Sequence, residues 1–339
     1  MPKPGHHKKA MSLSLHTRRQ FLQTFGFSAA SLLAGRFDLR AASQINATAQ
    51  HLLLFGDWGA VNPEPQQQVA RAMISYAQGQ AIRPAALLLL GDNFYGQFDG
   101  GVDCPRWRAQ FEETYPASQF GGPCYALLGN HDYNVEPAGK AEAQLAYTAA
   151  HPGTRWTMPA KWYRFDFPQA QPLVTFVMLD SNYQKATVDK LSLTEEERTA
   201  QAQWLKAELA KPRTTPYLVV CGHHPLYSNA GDGARLISEW DGLFREHGAH
   251  LYFCGHIHDL EHLEFEGHPT SFVVTGGGGT TLRDEQTNTS SALNRFNQNV
   301  HGFTHLEVSN ERLVIRHIAA DGRQLHAFGK SPQGRVELF

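Results

Sequence analysis

The segments HLLLFGDWG at residues 51–59 and AALLLLGDNFY at residues 85–95 are built on one plan. Each contains an uninterrupted apolar run, which is typical of a strand buried on both faces. Each run is followed directly by a glycine and then an aspartate, and glycine lets the backbone turn sharply. The two segments therefore predict buried strands that each present a carboxylate where the strand becomes a loop.

Three later segments repeat this plan with amide or imidazole groups. They are CYALLGNHD at residues 124–132, YLVVCGHHP at residues 217–225 and AHLYFCGHIH at residues 249–258. Open α/β sheets build their sites where the carboxyl ends of strands meet loops, so the five segments predict one site. His256 and His258 would point to opposite faces of a regular strand, which predicts that this pair lies on a turn.

The rest of the pattern predicts an α/β fold. Thr194 and Glu197 have the spacing of a capping box at the start of a helix. Beyond Ser271, apolar and polar residues alternate in predicted strands such as Thr304–Val308 and Arg312–Ile318. Strands interspersed with helical patterns predict a sandwich of two mixed β-sheets flanked by helices, in four layers.

Composition limits the possible functions. The chain has 339 residues, of which 42% are hydrophobic, and a formal net charge of -2. No broad basic field is present, so we expect no nucleic-acid partner. Histidine is abundant at 18 residues, several of them beside glycine, and this pattern indicates metal binding.

The N-terminal region has the pattern of a targeting segment. TRRQFLQ at residues 17–23 precedes a weakly apolar stretch, Phe25–Ala34, and together they resemble a twin-arginine export signal. An amphipathic surface helix is the alternative. We predict a signal and linker at residues 1–50, cleavage near Ala41, and a globular domain at residues 51–339. The expected location is the periplasm or the medium, through the twin-arginine export machinery and without stable membrane association.

The four cysteines leave two possibilities open. Cys104 and Cys124 flank one loop region and could form a disulfide or remain free. Cys221 and Cys254 each end an apolar run, which favours buried free thiols.

Carboxylate, amide and imidazole groups at one sheet edge suit two adjacent cations held by oxygen and nitrogen ligands. Two cations about 3.5 to 4 Å apart repel each other strongly, so one carboxylate must bridge them. The donor types therefore predict a dinuclear metal site.

The ordered set of five motifs resembles the calcineurin-like metallophosphoesterase superfamily. Tyr95, three residues after Asp92, makes the chain similar to purple acid phosphatases, in particular the small tartrate-resistant type. The resemblance covers Leu52–Val308. It implies the metallophosphoesterase sandwich fold and hydrolysis of phosphate monoesters of small molecules by a metal-activated hydroxide.

The resemblance also implies a set of ligands for each metal ion. The first ion would be held by Asp57, Asp92, Tyr95 and His258. The second would be held by Asp92, Asn130, His223 and His256, with Asp92 as the bridge. Tyr95 as phenolate would bind Fe(III) and give a purple colour, and the second ion would be Fe(II), Zn(II) or Mn(II).

The expected catalytic residues are His131, Asn130 and His224. His131 would contact phosphate oxygens or protonate the leaving group. Small mammalian-type purple acid phosphatases have a further histidine where this chain has Asp232. The general acid is therefore left open between His224, another loop group and His131 alone.

Other interpretations remain. A phosphodiesterase or a nucleotide-processing enzyme would use the same fold and metals, and a secreted binding protein could retain the metal site without catalysis. A serine hydrolase is disfavoured because no Gly-x-Ser-x-Gly motif occurs. The glycine run at residues 276–279 could be a loop near the site or a flexible turn. Trp58, Phe94, Trp107 and Tyr227 could line a substrate entrance or belong to the core.

Overall fold

The two segments that define the fold lie side by side as parallel strands. β1 spans Gln50–Phe55 and β2 spans Ala86–Leu90, with Leu52 opposite Ala86. Helix α1, Glu64–Gly79, connects them and supplies the crossover that a parallel pair requires. Every residue of β2 is buried, as the uninterrupted apolar run predicts.

The computed structural model describes residues 44–134, 139–183, 192–283 and 290–339, together with Met1. Within these ranges, the residues from Ile45 to Phe339 form one compact unit. The predicted export signal at residues 17–34 and its cleavage near Ala41 lie outside the described residues. No described helix is both long enough and apolar enough to cross a membrane.

The described strands form two mixed sheets. The first has eight strands, which are β1, β2, β3 (Cys124–Leu127), β4 (Trp156–Thr157), β12 (Gly302–Val308), β13 (Leu313–Ala319), β14 (Gln324–Lys330) and β15 (Val336–Leu338). The second has seven, which are β5 (Tyr163–Phe167), β6 (Val174–Met178), β7 (Tyr217–Cys221), β8 (Leu251–Cys254), β9 (Leu260–Glu264), β10 (Ser271–Thr275) and β11 (Leu293–Gln298).

The strand order within each sheet places the parallel strands together. The first sheet runs β15-β14-β13-β12-β1-β2-β3-β4, with β1 to β4 parallel and β12 to β15 antiparallel. The second runs β11-β9-β10-β8-β7-β6-β5, with β6, β7, β8 and β10 parallel. The carboxyl ends of neighbouring parallel strands therefore meet at one edge of each sheet.

Helical segments complete the fold. Besides α1, the described α-helices are α2 (Lys140–Ala150), α3 (Glu195–Leu209), α4 (Ala234–Leu236) and α5 (Gly242–His247). Shorter turns are the 3-10 segments Gly101–Asp103 and Asn130–Tyr133 and the π segments Trp107–Glu112 and Ile237–Asp241.

The two sheets pack face to face. Leu53 of β1 belongs to the same apolar cluster as Val219 of β7 and Phe253 of β8. A second apolar cluster contains Val220 of the second sheet and Leu205 of α3, so α3 covers the other face of this sheet. This layering confirms the predicted sandwich of two mixed sheets flanked by helices.

Most predicted element boundaries are correct to within a few residues. Strand β7 begins and ends as predicted, whereas the strand predicted from Ala249 begins at Leu251. The capping box of α3 is present, since the Glu197 N–H donates to Thr194 Oγ1 at 3.2 Å. The turn predicted for His256 and His258 separates β8 from β9.

The cysteines and the aromatic residues belong to the interior. All four cysteines are buried and free, so the Cys104–Cys124 bond is not formed in this structure. Burial raises the pKa of the Cys124 thiol to about 12, which makes it a poor nucleophile. Trp58, Phe94, Trp107 and Tyr227 are buried as well and form part of the core rather than a substrate entrance.

The alternating strands after Ser271 bury polar groups on both faces. All seven residues of β12 are buried, although apolar and polar residues alternate along it. Its polar side chains find partners inside the protein, as when the Arg316 guanidinium contacts Glu307 at 3.0 Å. The alternation therefore reflects hydrogen-bonded polar groups in the interior and not a solvent-facing side.

One such network contains stacked histidines. His262 Nε2 contacts the Glu264 carboxylate at 2.8 Å, and His262 Nδ1 lies 2.9 Å from His326 Nε2. The carboxylate can only accept, so His262 Nδ1 accepts a hydrogen bond from His326 Nε2–H. The rings of Phe296 and Phe328 flank this pair. A proton added to His326 would enter an apolar stack.

We expect this network to make stability depend on pH. Burial and then His262 lower the pKa of His326 from 6.5 to about 4, so the unfolded chain binds the extra proton more readily. The free energy of unfolding should therefore fall as the pH drops from 6.5 towards 4. His326→Gln keeps an N–H donor for His262 and should reduce this slope, measured by denaturant unfolding at each pH. The control is His151→Gln, whose parent side chain is 40% exposed. Equal slopes in all three proteins would contradict the assignment.

Candidate metal centre

The predicted ligand residues follow strands of both sheets. Asp57, Asp92 and Asn130 follow β1, β2 and β3 of the first sheet, and His223 and His256 follow β7 and β8 of the second. Face-to-face packing brings these strand ends together. The prediction that five strand ends form one site is thus consistent with the observed topology.

The backbone is strained where the side chains converge. Asp57, Asp92 and His256 have positive φ angles of 58°, 50° and 68°, a region that residues other than glycine seldom adopt. Strain of this kind persists only where the surrounding structure imposes it, and it is concentrated at functional sites. Here it directs side chains from different strands towards one point.

The glycine run at residues 276–279 lies against this point. A Cβ atom on Gly276 would lie 2.9 Å from Asp57 Oδ2, and one on Gly278 would lie 2.2 Å from the Gly56 carbonyl oxygen. Only glycine permits such close approach. Of the two interpretations that the sequence left open, the structure supports a loop near the site.

The first group of donor atoms surrounds the phenol of Tyr95. Its Oη lies 3.1 Å from Asp57 Oδ1, 2.9 Å from Asp92 Oδ2 and 3.5 Å from His258 Nε2. His258 Nε2 is also 3.4 Å from Asp57 Oδ1. Ligands bound at about 2.1 Å in adjacent positions around one ion lie about 3 Å from each other. These four distances are close to the separations of neighbouring ligands around one metal ion.

The second group is centred on His223. Its Nε2 lies 3.4 Å from Asp92 Oδ2 and 3.3 Å from Asn130 Oδ1. Donor atoms of His223, His224 and His256 lie within 4.8 Å of one another. Asp92 belongs to both groups, since the same carboxylate oxygen faces Tyr95 and His223. This is the position that a bridging ligand must occupy.

Backbone amides fix the two carboxylates. The His256 N–H donates to Asp57 Oδ2 at 2.8 Å, and the His131 N–H donates to Asp92 Oδ1 at 2.7 Å. In each carboxylate one oxygen is held by the backbone while the other faces the cluster. The arrangement leaves one oxygen of each group directed at a cation site.

Backbone carbonyls fix two of the imidazoles in the same way. His223 Nδ1 lies 2.8 Å from the Leu90 carbonyl oxygen, and His258 Nδ1 lies 2.7 Å from that of Thr281. A carbonyl only accepts, so Nδ1 carries the proton in each neutral ring. The Nε2 lone pairs are then directed at the cluster, as in many metal-binding histidines.

The buried charges of the site are strongly coupled. Burial would raise the pKa of Asp92, but the neighbouring His223 lowers it well below its usual range. Burial would lower the pKa of His223, but Asp92 and Asp57 raise it to about 9. Burial and then both carboxylates raise the pKa of Tyr95 well above that of a free phenol. The protein thus concentrates negative charge that favours a cation.

His256 is in the opposite situation. Burial lowers its pKa well below the usual range, and the charges of His224, His223 and Arg283 lower it further. A neutral imidazole is the form that binds metal ions. By donor chemistry and by spacing, the residues present fit two metal ions.

Asp132 holds the ligand loops in place, a role that the sequence analysis did not assign. Its carboxylate accepts hydrogen bonds from the backbone N–H groups of Asn93 and Phe94, both at 3.1 Å, and from that of Gly129 at 2.9 Å. Gln144 of α2 donates to the same carboxylate at 2.8 Å. Asp132 thereby connects the loop after β2 to the loop after β3. The only indication in the sequence was that Asp132 is the last residue of the GNHD motif at residues 129–132.

Ser181 is a second residue that supports the ligand loops and that the sequence pattern did not identify. Its Oγ accepts the N–H groups of His223 and His224 at 3.0 and 2.8 Å and lies 2.9 Å from His224 Nδ1. With two donors already bound, the hydroxyl proton is directed at His224 Nδ1, which places the proton of a neutral His224 ring on Nε2. Ser181 follows β6, and polar residues after an apolar strand were the signal that could have revealed it.

The remaining predicted residues lie at the edge of the cluster. The His131 ring is 4.3 Å from the Tyr95 ring, and the His224 ring is 4.4 Å from that of His256. Asp232 accepts hydrogen bonds from Ser290 and Ser291, and these tie two loops together.

Residues 51–260 match the calcineurin-like phosphoesterase family. This match spans more than half of the chain, so the protein belongs to that family and is a phosphoester hydrolase. Within the family, its sequence is similar to tartrate-resistant acid phosphatase type 5. The mouse enzyme (Mus musculus) is 30% identical over 80% of this chain and 86% of its own length.

Solved structures share the fold. One is GAP50, the anchor in the inner membrane complex of Plasmodium, with a TM-score of 0.66 at 20% identity over 86% of this chain and 89% of that one. Another is purple acid phosphatase PPD1 from yellow lupin (Lupinus luteus) seeds, with a TM-score of 0.60 and 18% identity. The match covers 84% of this chain and 54% of that chain. At these identities the likeness establishes the sandwich architecture.

We expect Asp132→Ala to weaken both the fold and the metal site. The change leaves three backbone N–H groups and the Gln144 amide without their buried acceptor, which costs about 2 to 4 kcal/mol. Thermal unfolding and metal analysis of purified protein measure both effects. Glu142→Ala, at an exposed position of the same helix as Gln144, is the control. Unchanged stability and metal content would show that Asp132 does not support the ligand loops.

Proposed function

We propose that the protein hydrolyses phosphate monoesters at a dinuclear metal centre. The first ion would be bound by Asp57, Asp92, Tyr95 and His258, and the second by Asp92, Asn130, His223 and His256. The observation that carries the proposal is the position of Asp92 Oδ2, which lies 2.9 Å from the Tyr95 phenol and 3.4 Å from the His223 imidazole. A carboxylate between two such groups is the element that a bridged pair of ions requires.

The donor sets of the two sites differ in hardness. Two carboxylates and a phenol suit a hard, highly charged ion, and we assign Fe(III) to this first site. An amide and two imidazoles accompany Asp92 at the second site and suit Fe(II), Zn(II) or Mn(II). When bound, such ions lower the pKa of water and polarise phosphate oxygens.

His224 and His131 are proposed to act on the substrate, His224 beside His256 and His131 beside Tyr95. The proton of neutral His224 is on Nε2, because Ser181 occupies Nδ1. This Nε2–H can donate to a phosphate oxygen or to the leaving group. His131 lies against Tyr95, on the side of the first ion, and is placed to donate to a phosphate oxygen. Asn130 would present its oxygen to the second ion.

Asp232 is not proposed as a substitute for the histidine that similar enzymes carry at this position. Its two carboxylate oxygens accept hydrogen bonds from the Ser290 hydroxyl at 2.7 Å and from the Ser291 hydroxyl at 2.6 Å. A carboxylate in this arrangement stabilises the loop. The general acid is therefore proposed to be His224 or His131.

Monoesterase activity is preferred over the two alternatives. The similarity to tartrate-resistant acid phosphatase supports a monoester substrate rather than a diester, and favours an acid phosphatase over an enzyme dedicated to nucleotides. The same similarity argues against a binding protein without catalysis, and all seven predicted ligand residues are present in the chain. The proposed substrate is a small phosphorylated molecule.

Export by the twin-arginine machinery remains part of the proposal. It is supported by the TRRQFLQ sequence at residues 17–23 and the weakly apolar stretch that follows it. This pathway carries folded proteins, so the metal centre would be assembled before export. The proposed location is the periplasm or the medium.

The proposal predicts faster hydrolysis of a monoester than of a diester of the same alcohol. Rates on 4-nitrophenyl phosphate and bis(4-nitrophenyl) phosphate compare the two with metal-replete protein. Asp92→Ala should lower the monoester rate by about a thousandfold or more and reduce the content of both metals, because the bridge is lost. Asp321→Ala, on an exposed turn, should leave the rate unchanged. A diester preference would favour the phosphodiesterase, and full activity of Asp92→Ala would refute the bridged centre.

A further inference from the structure

A cavity of about 440 Å³ opens beside the candidate metal centre. His224 and His256 form the wall nearest to the metal ligands, and Tyr183, Arg235 and Arg283 lie on other walls. Its volume is in the range of sites that hold small organic molecules. A phosphate ester bound at the centre could therefore place its leaving group here.

Part of the cavity wall is apolar. Tyr183, Leu236 and Ile257 line it, and all three side chains are otherwise buried in the interior. Such a surface favours a leaving group that contains an apolar or aromatic part, because contact between that part and the wall removes apolar area from water.

The cavity also carries positive charge. The guanidinium of Arg235 lies 5.6 Å from the centre of the Tyr183 ring, so this arginine rests against the apolar wall. Arg283 lines the same cavity as His256, the residue that connects the cavity to the candidate metal centre. The two arginines thus place positive charge along the cavity.

The acidic residue of the wall, Asp232, forms no ion pair with either arginine in the part of the chain that the structure describes. Asp232 is held by the hydroxyls of Ser290 and Ser291 and by the Ser291 N–H at 3.1 Å. Among the described residues, neither Arg235 nor Arg283 forms an ion pair with a carboxylate. No described carboxylate pairs with the two guanidinium groups, which are therefore the groups of this wall suited to binding an anion.

We infer that this cavity is a leaving-group subsite for phosphate monoesters that carry a second anionic group on an apolar or aromatic body. Arg235 and Arg283 would bind that second anion, a carboxylate or a second phosphate, while Tyr183, Leu236 and Ile257 contact the body. The inference rests on the proposed monoesterase function and adds the class of substrate to it. Arginine suits the role because its planar fork of donors matches carboxylate and phosphate oxygens.

The test compares phenyl phosphate with 4-carboxyphenyl phosphate, which differ only by the second anion. Steady-state kcat and KM are measured for the metal-replete full chain and for the double variant R235Q/R283Q. We expect KM for the carboxylated substrate to rise about five- to tenfold in the double variant, and KM for phenyl phosphate to change less than about twofold. Inorganic phosphate inhibition should be unchanged, since it reports on the metal centre alone.

Two further variants complete the design. R235K/R283K keeps the charge and should restore much of the preference for the carboxylated substrate. R335Q is the control, because it removes an exposed arginine from the turn between β14 and β15. This turn lies near the start of β8, at the opposite end of the strand from the site, since Pro332 contacts His250. R335Q should leave KM unchanged for both substrates.

Three results would contradict the inference or its basis. Equal losses on both substrates would show that the arginines act on the scissile phosphate or on the fold. An unchanged ratio of the two KM values would show that no second anion is bound in the cavity. A wild-type protein that hydrolyses neither substrate would instead overturn the proposed monoesterase function, whatever the role of the arginines.

Discussion

Two carboxylates, those of Asp57 and Asp92, are almost completely buried and converge on a single phenol oxygen. Burying such charges without a counterion is costly, so a structure that holds them together requires positive charge at the same place. In the protein alone, part of that charge is supplied by His223, whose pKa is raised to about 9. Metal ions would supply it more completely. Much of the surrounding architecture serves to hold these two groups in position.

The two sheets of the sandwich make this convergence possible. One sheet supplies the aspartates and Asn130, and the other supplies His223 and His256, so neither sheet could form the site alone. The contact between them is direct, because the His256 N–H donates to Asp57 Oδ2 across a sequence separation of 199 residues. Gly276 and Gly278 let the loop after β10 approach Asp57 and Gly56 more closely than a side chain would permit. The face-to-face packing of the sheets is therefore part of the site and not only its support.

The sequence was sufficient to predict the strand ends and the residue types placed on them. Asp57, Asp92 and His223 each follow an apolar run, and this local pattern requires no knowledge of the fold. The supporting residues were harder to find because their partners are remote in sequence. Ser181 contacts residues more than 40 positions away, and its hydroxyl is recognisable as a clamp only when His223 and His224 are beside it.

Two questions that the sequence left open, the cysteine pairing and the role of Asp232, depend on packing rather than on pattern. Cys104 and Cys124 have a spacing that allows a disulfide, but each thiol is buried separately in the core. Asp232 departs from similar enzymes, and only its contacts with Ser290 and Ser291 explain what it does. The charged cavity had no sequence signal, since Arg235 lies in α4 and Arg283 lies in the loop after β10, far along the chain.

The claim that two ions are bound and that Tyr95 coordinates one of them is tested most directly by a visible absorption spectrum with metal analysis of the same sample. The account predicts a broad charge-transfer band, about two metal ions per chain and at least one iron. Tyr95→Phe should lose the band while its circular dichroism is unchanged, because only the phenol oxygen is removed. A colourless wild-type protein with two zinc or manganese ions, or a band that persists in Tyr95→Phe, would contradict the ferric phenolate site.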